Sequence, residues 1–445
     1  MDDRGIRGKL NIIDNVAIQE RAIMRILMLS QFIYPPSLGG EERFVTDLSY
    51  ELAARGHTVS VIALWQKGFP DFEIQRGVRI YRVRGTMQKM DFLFSESNHP
   101  YAPSFPDPGV MRELRRIILE EQPEIVHAHN WLVHSFTPLK KWSKAKFVVS
   151  LHDYSLICVQ KRLMRREMNC TGPGTLKCLA CGTQFYGLAK GPLATLANFY
   201  WGERERQAVD LFLPVSQATA DGNQLDKYSV AYKVMPNFIP NQIDIRDDEN
   251  DPLLSQLPKD GFLLFVGDVS FDKGAEALLQ AYTELNTNLP LVFIGRQYLS
   301  NLSERLPQNV FLMGPWPHDA VMGAWKRCTI GLIPSIVADA CPTVAMEAMV
   351  MGRPVVATRN GGLTDIVADG ETGLLVPPGD SQALQEAIQV LLDDPERRAR
   401  MGTLAKQQVI RFQATSVVSH LEGIYLGLVE AESINTHALA NIGSR

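Results

Sequence analysis

From about residue 25 to residue 430 the apolar positions fall into short runs that alternate with amphipathic stretches. RILMLS at 25–30 is a short apolar run, and the loop PPSLGG follows it. From Glu41 the period changes. Phe44, Val45, Leu48, Leu52 and Ala53 share one helical face, and Gly56 in ARGH closes the helix. TVSVIAL, GVRIYRVR, PEIVHAHN and KFVVSL then read as strands. His127 and His129 alternate along the third of these as packed edge residues, and the fourth delivers His152 and Asp153 at its carboxyl end. ERERQAVDLFLPVSQATADGN reads as helix, strand and a helix capped by Ser216. Strands that alternate with helices in this way predict parallel sheets covered by helices.

The same alternation resumes further on. FLLFVG, LVFIG, NVFLMG and CTIGLIPS are strand patterns, and CPTVAMEAMVMG is a helix with Pro342 early in it and Gly352 at its end. RPVVAT is the next buried strand, GGL a turn with close backbone approach, and GLLV a short strand. SQALQEAIQVLLDD is an amphipathic helix, and RFQATSVVSHLEGIYLGLVE a terminal one. Doubly wound sheets take ligands beyond the carboxyl ends of their strands, where helix N-termini point. The loop ADACPT lies there. Free amides at the following helix start suit an anion or a ring of hydroxyls. Asp339 and Glu347 add two carboxylates eight positions apart.

A length of 445 residues exceeds what one hydrophobic core usually serves, so two domains are expected. The apolar content of 45% and charged content of 21% are ordinary for a globular chain, and a net charge of -4 argues against nucleic-acid binding. No apolar run reaches the ~18–20 residues of a membrane span. The first 23 residues mix charges and lack the apolar core of a secretory signal, so a cytoplasmic protein is expected, with contact at the inner face of the membrane as a further option. A polar, acidic stretch from residue 241 marks a linker. The expected organisation is therefore an extension over 1–23, a first domain over 24–240, a linker over 241–260, a second domain over 261–410, a helix over 411–432 and a mobile tail over 433–445.

Four of the six cysteines stand close together. Cys158, Cys170, Cys178 and Cys181 have eleven, seven and two residues between them. Their spacing is compatible with a structural zinc site or an iron–sulfur cluster, and buried unpaired thiols are the alternative. Disulfides are less expected without a secretion signal. The same stretch holds KRLMRRE, which could face an anionic acceptor, a membrane surface or solvent.

Several of these elements, in this order, resemble the family-4 retaining glycosyltransferases of GT-B fold. The resemblance rests on PP-x-x-GG-x-E with LA-x-RGH-x-V, on the His152–Asp153 pair after a strand, and on PN in YKVMPNFIP. It rests further on the glycine turn and Lys273 in FLLFVGDVSFDKG, and on Asp339 and Glu347 with EAM, G-x-PVV and GG. It covers about residues 24–430. It implies two Rossmann-like doubly wound α/β domains facing a cleft, with a C-terminal helix crossing back. It also implies a nucleotide-sugar donor whose diphosphate faces the Gly39–Gly40 backbone and Lys273, whose ribose hydroxyls are held by Glu347, and whose sugar is touched by Asp339 and His152. The first domain would hold the acceptor, in part through the long loop within 69–110. A cysteine-rich insertion is carried by a subset of the family. Two departures stand out: Asp339 replaces the family's usual Glu, and Asp268 occupies a position usually held by Arg. Arg296 after LVFIG is the candidate substitute at the phosphate.

The chemistry expected of such a cleft is stabilisation of a departing diphosphate by pre-placed donors. Lys273, the Gly39–Gly40 amides and the amides of Ala340, Cys341, Pro342 and Thr343 (the proline contributing only its position) are the candidates. No D-x-D pair is present to carry a catalytic Mg²⁺, which suits transfer without a metal cofactor. Retention of anomeric configuration is implied by the resemblance alone. A non-catalytic nucleotide-sugar-binding protein and a sugar-nucleotide epimerase are the competing readings, and the acceptor (glycan, lipid-linked intermediate or small metabolite) is not specified by the sequence.

Overall fold

The strand–helix alternation resolves into two parallel sheets in a computed structural model that describes residues 22–33, 39–89, 102–165, 168–248, 250–299 and 306–442. Most of the expected N-terminal extension, and residues 90–101 of the long loop, lie outside the described residues.

In chain order the first domain runs β1 (Arg25–Leu29), α1 (Gly40–Ala54), β2 (Thr58–Leu64), β3 (Phe72–Gln75), β4 (Val78–Val83), α2 (Pro108–Glu121), β5 (Ile125–Ala128), α3 (Leu132–Phe136) and β6 (Lys146–Leu151). A short hairpin, β7 (Met164–Arg165) with β8 (Met168–Asn169), then α4 (Thr175–Ala208), β9 (Leu211–Pro214) and α5 (Gln217–Gly222) complete it. The sheet order is β3-β4-β2-β1-β5-β6-β9, parallel throughout except for β3, which turns back on β4 through Arg76 and Gly77. The chain fills one side of β1 first and then continues from β5 on the other. The β1/β5 boundary is thus where strand order reverses.

Three features differ from the sequence expectation. Strand β5 lies between β1 and β6, so His127 sits in the middle of the sheet, not at an edge, and His129 immediately follows the strand's carboxyl end. Helix α2 had no reading; it is capped by Asp107, whose carboxylate accepts from the Gly109 and Val110 amides, and it buries Val110, Leu114, Ile117 and Ile118. The third difference is α4. Helix begins at Thr175, well before ERERQA, and runs through Cys178 and Cys181.

The second domain runs β10 (Leu263–Val266), α6 (Ala275–Thr283), β11 (Leu291–Ile294), β12 (Val310–Leu312), α7 (His318–Arg327), β13 (Ile330–Ile333), α8 (Thr343–Val350) and β14 (Val355–Thr358). It continues through α9 (Leu363–Ile366), β15 (Gly373–Val376), α10 (Ser381–Asp393) and α11 (Pro395–Gln408). The order β12-β11-β10-β13-β14-β15 reverses between β10 and β13, and every pairing is parallel. The central strands β11, β10, β13 and β14 are short and buried on both faces, as sheets sandwiched between helices require, while the edge strands β12 and β15 are partly open.

Helix α12 (Ala414–Ile442) returns to the first domain. Its Val417, Val418, Leu421, Ile424 and Tyr425 pack into the core formed by Met24, Ile26, Phe44, Leu48 and Val59. Glu422 accepts from Arg55 Nη1 at 2.7 Å and meets His57 Nε2 at 2.9 Å. The chain thus passes between domains twice, and the two passages lie side by side where Ile239 bridges Gln413.

Candidate active site

The carboxyl ends at the two reversal points face one another across a cleft of about 340 Å³. On the second-domain side, β13 leads through Ser335 to Asp339 and on to α8, whose N-terminal amides have no side-chain cap. Asp339 accepts from Lys273 Nζ at 2.5 Å through Oδ1 and from Ser335 Oγ at 2.7 Å through Oδ2. The loop is held from both sides. The Ile336 and Val337 amides donate to the Asp272 carbonyl, next to Lys273. Beneath it, the Gly362 amide donates to the Asp339 carbonyl at 2.7 Å. A Cβ on Gly361, which has φ of +56°, would stand 2.3 Å from that carbonyl, and one on Gly362 would stand 2.1 Å from the Ala340 carbonyl. Only glycines let the turn support the loop this closely.

Glu347 lies one turn into α8 and is buried. His318, at the start of α7, places Nε2 3.0 Å from Glu347 Oε1, while Arg43 Nη2 stands 3.0 Å from His318 Nδ1. Guanidinium nitrogens only donate, so Nδ1 accepts and Nε2–H donates to the carboxylate. Burial opposes the Glu347 charge, but His318 and Arg43 outweigh it and hold the carboxyl below its ordinary range.

The first-domain side is built differently. Gly40 and Glu41 at the start of α1, His152 and Asp153 after β6, and Asn237 line it. His152 Nε2 meets His129 Nδ1 at 3.1 Å, and the Phe44 ring stands edge-on to it at 5.1 Å. Behind them, His127 bonds the Tyr425 hydroxyl at 2.6 Å and Ser150 Oγ at 2.8 Å. Burial lowers all three histidines, to about 3 for His127, well down for His129 and to about 4 for His152. All three are therefore neutral at pH 7. Glu41 accepts from Asn130 Nδ2 at 2.7 Å. Burial, reinforced by the Asp153 charge, pushes its carboxyl up to about 8 despite Lys161 nearby.

Besides Arg43 with His318 and Asn169 with Asn360, four polar contacts clasp the domains around the cleft. Tyr154 Oη donates to the Ala338 carbonyl at 3.1 Å, and Asn237 Nδ2 to the Cys341 carbonyl at 3.3 Å. The Gln217 amide donates to Asp365 at 2.6 Å, and Arg162 pairs with Asp272.

Of the residues singled out from sequence, Gly40, His152, Lys273, Asp339, Ala340, Cys341, Pro342 and Thr343 line this one cleft. Gly39 precedes α1 in extended conformation, and Pro342 is the residue before α8, not a residue within it. Glu347 stands behind the lining, against His318. Arg296 is largely exposed and pairs with Asp268 at 3.1 Å, so the two opposite charges at that rim satisfy one another. Sequence reasoning passed over Glu41, Asn237, Ser335, Arg43 and His318. Glu41 directly follows the glycine pair and Arg43 shares its helix, which was a usable signal; His318 lies 29 residues before its partner and gave none.

Cys158, Cys170, Cys178 and Cys181 are unbridged and half-buried, and they line one small, mainly apolar cavity. The Gly174 amide donates to Cys178 Sγ at 3.3 Å, and Gln160 Nε2 to Cys181 Sγ at 2.9 Å. Among the described residues, no three His, Cys, Asp or Glu side chains stand in metal-holding geometry.

Two family models match the chain in succession: glycosyltransferase family 4 over residues 38–241 and glycosyl transferases group 1 over residues 248–408. The D-inositol 3-phosphate glycosyltransferase of Corynebacterium aurimucosum is 33% identical over 194 residues, 40% of this chain and 46% of that protein. The glycogen synthase of Mycobacterium tuberculosis is 25% identical over 438 residues, covering 92% of this chain and 96% of that one. Among solved structures, sucrose-phosphate synthase from Thermosynechococcus elongatus matches with a TM-score of 0.70 at 19% identity, over 91% of this chain and 99% of that one. Anabaena HepE in complex with UDP matches with a TM-score of 0.64 at 17% identity, over 93% of this chain and 100% of that one. With both halves matched in order and the two sheets facing one cleft, the chain belongs to the group 1, family-4 glycosyltransferases of GT-B fold.

Proposed function

We propose that the protein transfers a sugar from a nucleotide-sugar donor to an acceptor hydroxyl, with retention of configuration and without a catalytic metal. The observation that carries this reading is the convergence of Lys273, Asp339 and the start of α8 opposite the start of α1 across one cleft. Two helix N-termini and an ammonium group suit a diphosphate, which gains charge as the anomeric C–O bond breaks. Related structures were solved with UDP and with UDP-glucose in HepE and with ADP in a starch synthase, which favours this donor class.

In this reading Lys273 exchanges part of its bond to Asp339 for a phosphate oxygen. Asp339, still held by Ser335, turns its freed oxygen to a donor-sugar hydroxyl. Glu347 stays ionised because of His318 and Arg43, so it can accept from ribose hydroxyls. Neutral His152 can hydrogen-bond the donor sugar without adding charge where the ring becomes cationic. No side chain in the lining is assigned as a nucleophile. The leaving phosphate takes the acceptor's proton on the face from which it departs.

A thermal-shift and mass-spectrometric screen against UDP-, GDP- and ADP-sugars tests this. One donor is expected to raise the melting temperature and slowly release its nucleoside diphosphate. Stabilisation with no turnover across varied acceptors would point instead to a binding protein.

A further inference from the structure

Helix α4 is built inside out. Gly187, with φ of 83° and ψ of 167°, breaks it into two arms, 175–186 and 188–208. The inward positions are Gly182, Gly191, Thr195, Asn198, Gly202 and Glu205, all small or polar. A Cβ on Gly191 would stand 2.4 Å from the Gly182 carbonyl oxygen, and one on Gly182 would stand 2.2 Å from Thr195 Oγ1. The arms therefore pack backbone against backbone near the bend. Six of the helix's ten large apolar side chains face out: Leu176, Phe185, Leu188, Leu193, Leu196 and Tyr200 are exposed, with Leu176 and Leu188 at 83% and 86%, while the other four are half-buried. These six are more than a third of the 16 exposed large hydrophobic residues described, and the other ten are scattered over both domains. A soluble helix buries the opposite set. Exposed large apolar side chains concentrated on one element mark an interaction site.

Charge identifies the partner. The helix itself carries Lys177, Lys190, Arg204 and Arg206 against Glu203 and the buried Glu205, in a chain whose net charge is -4, and Arg204 stacks on the exposed Tyr200. Small inward residues, outward Leu, Phe and Tyr, and flanking cations are the pattern of a segment lying in a bilayer interface. No described helix is long and apolar enough to cross a membrane, so the fit is to the surface. We propose that the bent helix 175–208 docks the enzyme on an anionic phospholipid surface. The chain that joins His152 and Asp153 to this helix carries Arg162, which pairs with Asp272 of the second domain. The proposal does not depend on the sugar-transfer reading, since vesicle binding needs no donor.

The test is co-sedimentation of the full chain with vesicles of phosphatidylcholine alone or mixed with phosphatidylglycerol. Wild type is expected to sediment with the mixed vesicles and to be released by salt. The double variant Leu188→Asp with Leu193→Asp should lose roughly a hundredfold in partitioning, as two buried leucines would suggest, with an unchanged melting temperature because neither side chain is packed. Equal binding by wild type and the double variant would overturn the proposal, as would wild type remaining in solution with every vesicle. A wild-type dimer that the same double variant dissociates, without vesicle binding, would assign the face to self-association and also overturn it.

Discussion

The two walls of the cleft are electrical opposites. On the second-domain wall every charged group has a counter-charge or a donor: Lys273 with Asp339, Asp268 with Arg296, Glu347 with His318. On the first-domain wall burial neutralises two of the key groups, His152 as a free base and Glu41 as an acid, and leaves Asp153, with Lys161 at 4.0 Å, as its charged group. The paired wall keeps its ions available for exchange with an anionic ligand. The neutral wall suits hydroxyls and leaves the field from the opposite side unscreened. A single cleft therefore presents paired ions on one wall and largely neutral groups on the other by differences in burial and pairing.

The largest expected effect comes from removing the cation of the paired wall. Lys273→Ala should lower turnover by about a hundredfold or more, the usual cost of losing a donor to a developing anion, while the fold survives because the lysine is partly exposed. Full activity would remove the phosphate assignment. Next is Glu347→Ala, which should weaken donor binding by about tenfold. His318→Ala should show a smaller loss in the same titration, since it acts through Glu347. Unchanged donor affinity in Glu347→Ala would count against the ribose contact.

The neutral wall is tested by pH. His127, His129 and His152 bind protons less readily folded than unfolded, so their contribution is present above about pH 6.5 and is lost as pH falls toward 4. Melting temperature should decline over that window. Glu41 works in the other direction: its contribution is full below its ordinary value of 4.5 and lost as pH rises through about 8. Glu41→Gln should therefore melt higher than wild type at pH 8, by roughly 2–4 °C, with the gap closing toward pH 4.5. A constant gap would mean that Glu41 is ionised throughout. Smallest for chemistry is the cysteine pocket. Cys178→Ser with Cys181→Ser should lower the melting temperature and leave turnover near wild type, and elemental analysis of both proteins shows whether zinc or iron leaves with the thiols.

The sequence was most informative where local chemistry and spacing coincide. His152 directly follows β6, Asp339 and Lys273 lie in the loops after β13 and β10, and their elements lie close to where the pattern put them. The GG turn at 361–362 does approach the loop above it, as its residues suggested. Partners distant in the chain were not legible. His318 and Arg43 reach Glu347 from two other helices, one in each domain, and no local periodicity encodes that meeting. The part of helix α4 before ERERQA was missed for a different reason. Most of its large apolar residues face outward, so the usual inference from hydrophobic spacing to a buried face had nothing to find. β5 was misplaced because a histidine-bearing strand suggested an edge, whereas the histidines are accommodated by Tyr425, Ser150 and one another.

Helix α12 has a consequence for biosynthesis. Val417, Leu421 and Tyr425 fill the core around β1 and α1, although nearly four hundred residues separate them in the chain. A ribosome emits the first domain's strands long before the piece that seals them. The second domain needs no such delayed part, because its cores draw on nothing later than Phe412. The half made first is thus the half finished last, and a prematurely stopped chain would release an intact second domain beside an open first one.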